Sequence, residues 1–344
     1  MTVYLAGYQA SSILCGGATI QLLNTSRYLG DFGIDARLFD PWAPFRAETC
    51  DLFHLFASDL GMYHLGREIH TLGIPIALSP ITYSLHSRRF IRTALAASRM
   101  LQRIGHGVWT DYAITSDLCT WSRLILPNTR DEAGLITEGY GVPGEKVTVI
   151  PNGVDERFAD ADPTLFKKTY GIDRFILNVG HTGHVRKNVL ALIKALAQID
   201  HPAVIIGRIV RTPYGEACLR EAEKNKNILL LDSLDHDSEM LASAYAACEV
   251  FAMPSLFETP GIAALEAGLA GAKVVITPYG GTKEYFETMA EYVDPHSVDS
   301  IRDGIVRALQ KKQDDCLREH IRKEFLWPRV AEKTAAAYRT IINR

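Results

Sequence analysis

Short apolar runs of strand length alternate with amphipathic helical segments along the chain, and the alternation is played out twice. In the first half the runs are Val3–Ala6, Ala36–Phe39, Asp51–Phe56, Pro75–Ser79, Arg123–Asn128 and Val147–Pro151. In the second half they are Phe175–Gly180, Ala203–Gly207, Asn227–Leu231, Val250–Met253 and Lys273–Ile276. Helical periodicity fills the intervals, as with Ile20, Leu22, Leu23 and Leu29, residues 60–72, a segment reaching about Gly139, a helix from Val189 and a last one over Val330–Ile342. Strands alternating with helices predict an α/β chain with parallel, doubly wound sheets, whose ligands sit at the carboxyl ends of the strands. Pro151-Asn152-Gly153-Val154-Asp155, followed by the polar stretch Asp160 to Lys168, reads as the crossing between two domains. A chain of 344 residues has room for both.

Composition excludes several classes. A net charge of −3 supplies no drive toward nucleic acid, and none is expected as a partner. The cysteines Cys15, Cys50, Cys119, Cys218, Cys248 and Cys316 are scattered without a CxxC pair, as free thiols of a reducing cytosol would be. The chain opens on a strand-like run rather than a basic leader, and no apolar run approaches the length of a membrane span. A cytoplasmic location follows as the expectation. One helical segment complicates it. Over residues 88–105, Arg88, Arg92, Arg99 and Arg103 fall within about 60° on a helical wheel, opposite Phe90, Ala94, Ala97, Leu101 and Ile104, with Leu95 out of place. Two readings stand: a solvated basic surface, or a face for an acidic acceptor or for anionic lipid headgroups, the latter holding the protein peripherally on the inner face of a membrane.

Chemistry concentrates in three places. Gly16-Gly17 sits where the first strand feeds a helix; it is not the GxGxxG fingerprint, and serves either chain reversal or close approach of a ligand. His181-Thr182-Gly183-His184-Val185-Arg186-Lys187-Asn188 follows the first strand of the second half, where Arg and Lys suit a diphosphate. His181 and His184 lack a third ligand at metal spacing, and the DxD pairs Asp160/Asp162 and Asp235/Asp237 are two-residue matches in polar connections, so no metal is expected. The third place, Pro254–Ala267, separates Glu258 from Glu266 by seven residues. Thr259 reads as a helix N-cap with Pro260 at the first helical position, so that the Gly261 and Ile262 N–H groups face an anion. Glu258 either complements the helix dipole or acts on a ligand; Glu266, among alanines and leucines, either pairs with a buried cation or accepts hydrogen bonds from a polyol such as ribose.

Taken in order, these segments resemble the GT-B glycosyltransferases of the large retaining group called family 4, or group 1. The resemblance is strongest in PSLFETPGIAALEAGLAGAKVVIT at 254–277, similar to the family's E-x7-E signature. VIPNGVDERF at 149–158, ILNVGHTGHVRKN at 176–188, YGGTKEYF at 279–286 and FLWPRVAEKTAAAYR at 325–339 support it.

The resemblance implies two Rossmann-like, doubly wound parallel-sheet domains facing across a cleft. Residues 1–155 would form the acceptor-side domain, joined by a terminal helix at 326–344, and residues 156–325 the nucleotide-sugar domain. It implies transfer of a hexose from a nucleotide-diphospho-sugar, UDP- or GDP-linked, to a glycan or lipid-linked acceptor, with retention and without a metal or other cofactor. Glu258 would stabilise charge at the anomeric carbon, and Lys187, with Arg186, would assist departure of the diphosphate. Gly16, Gly17, His181, Leu234, Thr259, Pro260, Gly261 and Ile262 would complete the donor site, and Glu266 would bind the ribose. Two positions depart from the family pattern. His181 stands where Arg is usual, and Ile81 where many members carry His, with His86 nearby as the acceptor-side candidate. The same fold admits a nucleotide-sugar epimerase or hydrolase, or a non-catalytic nucleotide-sugar-binding subunit.

Overall fold

The apolar runs assemble into two sheets in which every paired strand is parallel, most of them joined by a helix that returns the chain to the same edge. The structure is a computed structural model and describes residues 1–9, 16–104 and 109–342; Cys15 and the end of the 88–105 segment lie outside them. By internal contacts the chain divides into two compact units, Met1–Gly153 with Trp327–Arg344, and Val154–Leu326.

In the first unit β1 (Thr2–Gly7), β2 (Asp35–Leu38), β3 (Leu52–Phe56), β4 (Ile76–Ser79) and β5 (Leu124–Ile125) pair in the order β2-β1-β3-β4-β5. The inner strands β3 and β4 are buried at every residue, whereas the edge strand β2 is largely exposed. Burial on both faces explains why β3 and β4 read as unbroken apolar runs. Val3, Leu5, Leu22 and Leu29 pack on one face with Trp327 and Tyr338 of the terminal helix Trp327–Ile342. Phe53, Leu55, Met62 and Leu118 pack on the other. Two expected strands shrink. Arg123–Asn128 contracts to Leu124–Ile125, and Val147–Pro151 contributes a single bridge, Val147 to Ile125. Pro127 and Pro151 carry no N–H, so donation stops one residue before each, at Leu126 to Leu78 O (2.7 Å) and at Ile150 to Pro127 O (2.9 Å).

The helix Arg88–Ile104 corrects the wheel. Its buried stripe is Ile91, Leu95 and Ser98, so the leucine out of place on the wheel is a core residue, while Phe90 and Leu101 are exposed. The rotation follows from its neighbours. The Thr110 hydroxyl donates to Ser98 Oγ (2.9 Å), Arg99 donates to Ser116 Oγ (2.9 Å), and Arg88 pairs with Glu138 (2.5 Å). Those contacts draw the arginine edge partly against the helix Asp111–Trp121 and the π-helical turn Leu135–Gly139.

In the second unit β6 (Ile176–Val179), β7 (Ala203–Ile206), β8 (Ile228–Leu231), β9 (Val250–Met253), β10 (Lys273–Ile276) and β11 (Glu291–Tyr292) pair in the order β11-β10-β9-β6-β7-β8. This is the Rossmann order, and it reverses direction between β6 and β9, where Ile176 lies against Val250 and Leu177 against Phe251. β11 is two residues long and begins on Glu291, too short and too polar to show in sequence. Phe175, Leu177, Phe251, Leu265 and Phe286 form one core layer, and Ile176, Leu192, Ile205 and Ile305 the other. The described cysteines are free, four of them buried. Among the described residues no helix is long and apolar enough to cross a membrane.

A buried polar tie holds the terminal helix to the first sheet. His54 on β3 is 1% exposed, and its Nδ1 lies 2.6 Å from the Tyr338 hydroxyl while Nε2 lies 3.0 Å from Ser79 Oγ on β4. A neutral ring satisfies both partners, one nitrogen accepting and the other donating. Burial pushes the His54 imidazole down to about 3, from an ordinary 6.5. Between those values the unfolded chain takes up a proton that the folded one refuses, so stability falls as pH drops from 6.5 toward 3. The contribution is at most about 1.4 kcal/mol per pH unit. In urea titrations across this range, His54→Gln should flatten the acid side of the profile relative to wild type, and an unchanged slope would refute the assignment.

Candidate functional site

The reversal of strand order between β6 and β9 brings two loops together at the carboxyl edge of the second sheet. After β6 the chain runs through Gly180 to the 3-10 turn Val185–Lys187, and after β9 it runs through Pro254–Gly261. The loops are fastened to each other by backbone. Leu256 N–H donates to Arg186 O (2.8 Å), and Arg186 Nη1 donates to Phe257 O (3.1 Å). Asn188, in a left-handed conformation at φ 55, donates its amide to Pro254 O (3.0 Å) and Pro295 O (2.6 Å). An amide side chain serves here because it tolerates that backbone and supplies two donors.

At the centre Lys187 Nζ lies 2.6 Å from Glu258 Oε1, with Arg186 Nη1 at 3.2 Å from the same oxygen. Glu258 is 5% exposed. Burial alone would raise its carboxyl, but Lys187 and then Arg186 outweigh it and hold the group below its ordinary 4.5. Its backbone is fixed as well: Glu258 N–H donates to Tyr279 O (3.1 Å) and Gly281 N–H to Glu258 O (3.0 Å). Gly280 must be glycine in this bridge, since its φ is +89 and a Cβ would stand 2.0 Å from Glu258 O.

The helix that follows starts later than its sequence signals indicate. It runs Ile262–Leu269 with Gly261 as N-cap, and Thr259 makes no capping bond. Pro260 follows a cis peptide bond and lies before the helix rather than in its first turn. Gly261 accounts for the shift, because its φ of +89 is outside the helical range and a Cβ there would meet Met253 Cε at 2.4 Å. The first bond of the turn runs from Ala264 N–H to Gly261 O (2.9 Å), so the Ile262 and Ala263 N–H groups precede the ladder and have no acceptor within the helix.

Glu266, 4% exposed in the second turn, is held by neither Arg nor Lys. Its Oε2 accepts from the Tyr245 hydroxyl (2.7 Å) and its Oε1 lies 2.8 Å from His236 Nε2. Burial drives the Tyr245 phenol well above its usual value and the Glu266 charge adds to it. His236 goes up too; burial works against this, but the hydrogen bond and charge of Glu266 prevail. Arg157 donates to the His236 carbonyl and fixes that loop. Leu234, two residues earlier, packs on the same core. Tyr245 and His236 escaped the sequence reading. The first is one aromatic in an apolar helix, and the second stands inside Asp235-His236-Asp237, whose only visible pattern suggested a metal.

The remaining candidates are less tightly bound into this constellation. His181 is half-buried and its ring lies edge-on to His184 with centroids 5.7 Å apart. Among the described residues no group of three or more His, Cys, Asp or Glu assembles as a metal site. Gly16, Gly17, Ile81 and His86 belong to the first unit. Gly16 is the extended N-cap of the helix Gly17–Leu29. Ile81 has φ 48, an unusual conformation for a β-branched residue, and packs against the core cluster that holds Trp327 and Tyr338. His86 is exposed and stacks on Phe90 at 4.4 Å.

Two Rossmann-like sheets, with cations and a helix start at the switch point of the second, define the GT-B class of α/β proteins. The whole chain superposes on sucrose-phosphate synthase of Thermosynechococcus elongatus with a TM-score of 0.76 at 17% identity, covering 100% of this chain and 99% of that one. Residues 165–324 match the family of glycosyl transferases group 1. An uncharacterised glycosyltransferase of Methanocaldococcus jannaschii is 29% identical over 58% of this chain and 55% of its own. The UDP-Gal:alpha-D-GlcNAc-diphosphoundecaprenol alpha-1,3-galactosyltransferase of Escherichia coli is 26% identical over 82% of this chain and 72% of its own. The chain thus spans about half the length of the first of these relatives.

Removing one partner of the Lys187–Glu258 pair strands a buried charge, which typically costs about 3 kcal/mol. Lys187→Met should therefore lower the urea midpoint of the second unit and return the Glu258 carboxyl toward or above its ordinary value. Adding Glu258→Gln should recover much of the loss. A double variant no more stable than Lys187→Met would show that the pair does not carry this coupling.

Proposed function

We propose that the protein is a glycosyltransferase that moves a hexose from a UDP- or GDP-linked donor to a lipid-linked or glycan acceptor with retention of anomeric configuration and without a metal. The observation that carries this reading is the convergence of Lys187, Arg186, Glu258 and the start of the Ile262–Leu269 helix at one switch point. The names of the relatives support it, and that of the Escherichia coli enzyme carries both a UDP-sugar and a lipid diphosphate.

In the proposed reaction the bond from the anomeric carbon to the diphosphate oxygen breaks, and a bond from that carbon to an acceptor hydroxyl oxygen forms. The nucleoside diphosphate leaves with the electron pair, and the hydroxyl proton passes to the departing phosphate oxygen. Lys187 and Arg186 stabilise the charge that grows on the leaving group, aided by the Gly261 and Ile262 N–H groups at the positive end of the helix. Glu258 faces the positive charge developing at the sugar. An arriving diphosphate competes with Glu258 for Lys187, so donor binding loosens the ion pair and releases the carboxylate toward the sugar. Glu266 accepts hydrogen bonds from the ribose, with Tyr245 holding its second oxygen in place. His181, Leu234, Thr259 and Pro260 of the second unit serve as further donor contacts.

Thermal denaturation with UDP-, GDP-, ADP- and dTDP-sugars tests the donor, because a ligand that binds only the folded state raises Tm. A UDP- or GDP-sugar is expected to give the shift. With that donor and lipid-linked acceptors, Lys187→Ala and Glu258→Gln should each lower turnover about 100-fold or more. Wild-type turnover in both variants would overturn the residue roles. Free or isomerised sugar in the absence of acceptor would indicate a hydrolase or epimerase instead, and donor binding without turnover a non-catalytic subunit.

A further inference from the structure

The helix Arg88–Ile104 turns two different faces outward. Ile91, Leu95 and Ser98 face the core, which leaves more than half of the circumference to solvent. One outward arc carries Arg89, Arg92 and Arg103, all exposed, and the helix contains five arginines and no acid. The adjoining arc carries Phe90 (47% exposed), Met100 (64%) and Leu101 (52%), with Ala97 exposed between them. The Tyr112 ring approaches Phe90 at 6.5 Å, while Trp109, 49% exposed, stands edge-on to Tyr63 at 4.7 Å. Leu85, just before the helix, is 74% exposed. Scattered exposed apolar residues are ordinary, but Phe90, Met100 and Leu101 on one helix face beside a row of arginines are not.

We propose that this face lies flat on an anionic lipid bilayer, with Phe90, Met100 and Leu101 in the acyl boundary and Arg89, Arg92 and Arg103 on the headgroups. The inference stands on this helix alone and goes beyond the donor-site reading. Charge selects the occupant. Two copies of the chain meeting through this strip would bring their arginine rows together, and a neutral apolar partner would leave those rows unused. A surface of phosphate headgroups over hydrocarbon satisfies both arcs at once. Arg88 and Arg99 are held by Glu138 and Ser116 and brace the helix against the unit, whereas Arg89, Arg92 and Arg103 project outward for the lipid. A helix of this kind gives in-plane contact, without a span.

Flotation of the full chain with vesicles decides the matter. Vesicles of phosphatidylcholine with phosphatidylglycerol should carry the protein upward, phosphatidylcholine alone should not, and raised salt should weaken the association. The triple variant Arg89→Glu, Arg92→Glu, Arg103→Glu and, separately, the pair Phe90→Ser, Leu101→Ser should each lower vesicle binding at least tenfold. Both should keep the wild-type circular dichroism and the wild-type Tm shift with donor, which separates this surface from the donor site. Binding to neutral and anionic vesicles alike, or unchanged binding of either variant, would overturn the proposal. A wild-type chain that ignores vesicles but dimerises, and a Phe90→Ser, Leu101→Ser variant that does not, would assign the strip to a second copy instead.

Discussion

The pairing of β6 with β9 is the constraint on which the second unit turns. Parallel strands need crossovers, and the two crossovers leaving this pair depart in opposite directions along the sheet. Between them a gap opens that no helix fills. The loops Gly180–Asn188 and Pro254–Gly261 line it, and Arg186, Lys187, Glu258 and Glu266 all stand on these two loops or on the helix that follows. Had β9 joined at the far edge beside β8, Lys187 and Glu258 would sit on separate rims.

A buried carboxylate beside two cations is a costly arrangement, and the backbone around Glu258 shows how the fold sustains it. Its N–H and carbonyl are both engaged by the Tyr279–Gly281 segment, and the cations arrive on a loop held by Leu256, Phe257 and Asn188. Charge and scaffold are separate supports here. The main-chain bonds to Tyr279 and Gly281 fix the Glu258 backbone independently of the two cations. Glu266 is organised differently, by the neutral donor Tyr245 and by His236, and its carboxylate has no fixed cation to surrender.

Much of the architecture could be read from the chain because buried parallel strands leave unbroken apolar runs, as at Leu52–Phe56 and Val250–Met253. Strands that depend on a partner rather than on their own composition could not be read that way. Glu291–Tyr292 pairs only because β10 offers an edge, and Val147–Pro151 makes one bridge and stops donating at Ile150, before its single proline. Helix ends misled for a similar reason. Thr259 and Pro260 carry the local signals of a helix start, but the conformation of Gly261 beneath Met253 postpones it, and that contact is made across the sheet. The Arg88–Ile104 helix shows the limit most plainly. A wheel ranks faces by hydrophobicity, whereas the core takes the face that neighbouring groups hold toward it, here through Ser98, Arg99 and Arg88. Around the candidate site, residues such as Lys187 stand out by charge, while Tyr245 and His236 acquire meaning only from the carboxylate they touch.

The terminal helix Trp327–Ile342 has a consequence for how the chain matures. The second unit is one continuous stretch, Val154–Leu326, and can close its core as soon as that stretch has been made. The first unit cannot. Its opening residues wait with Leu5, Leu22 and Leu29 lacking the cover of Trp327 and Tyr338, and with His54 lacking a hydroxyl partner, until the last helix is made. On the ribosome the half synthesised first is therefore finished last. For most of translation its apolar sheet face is a surface that a chaperone, or another nascent chain, can occupy.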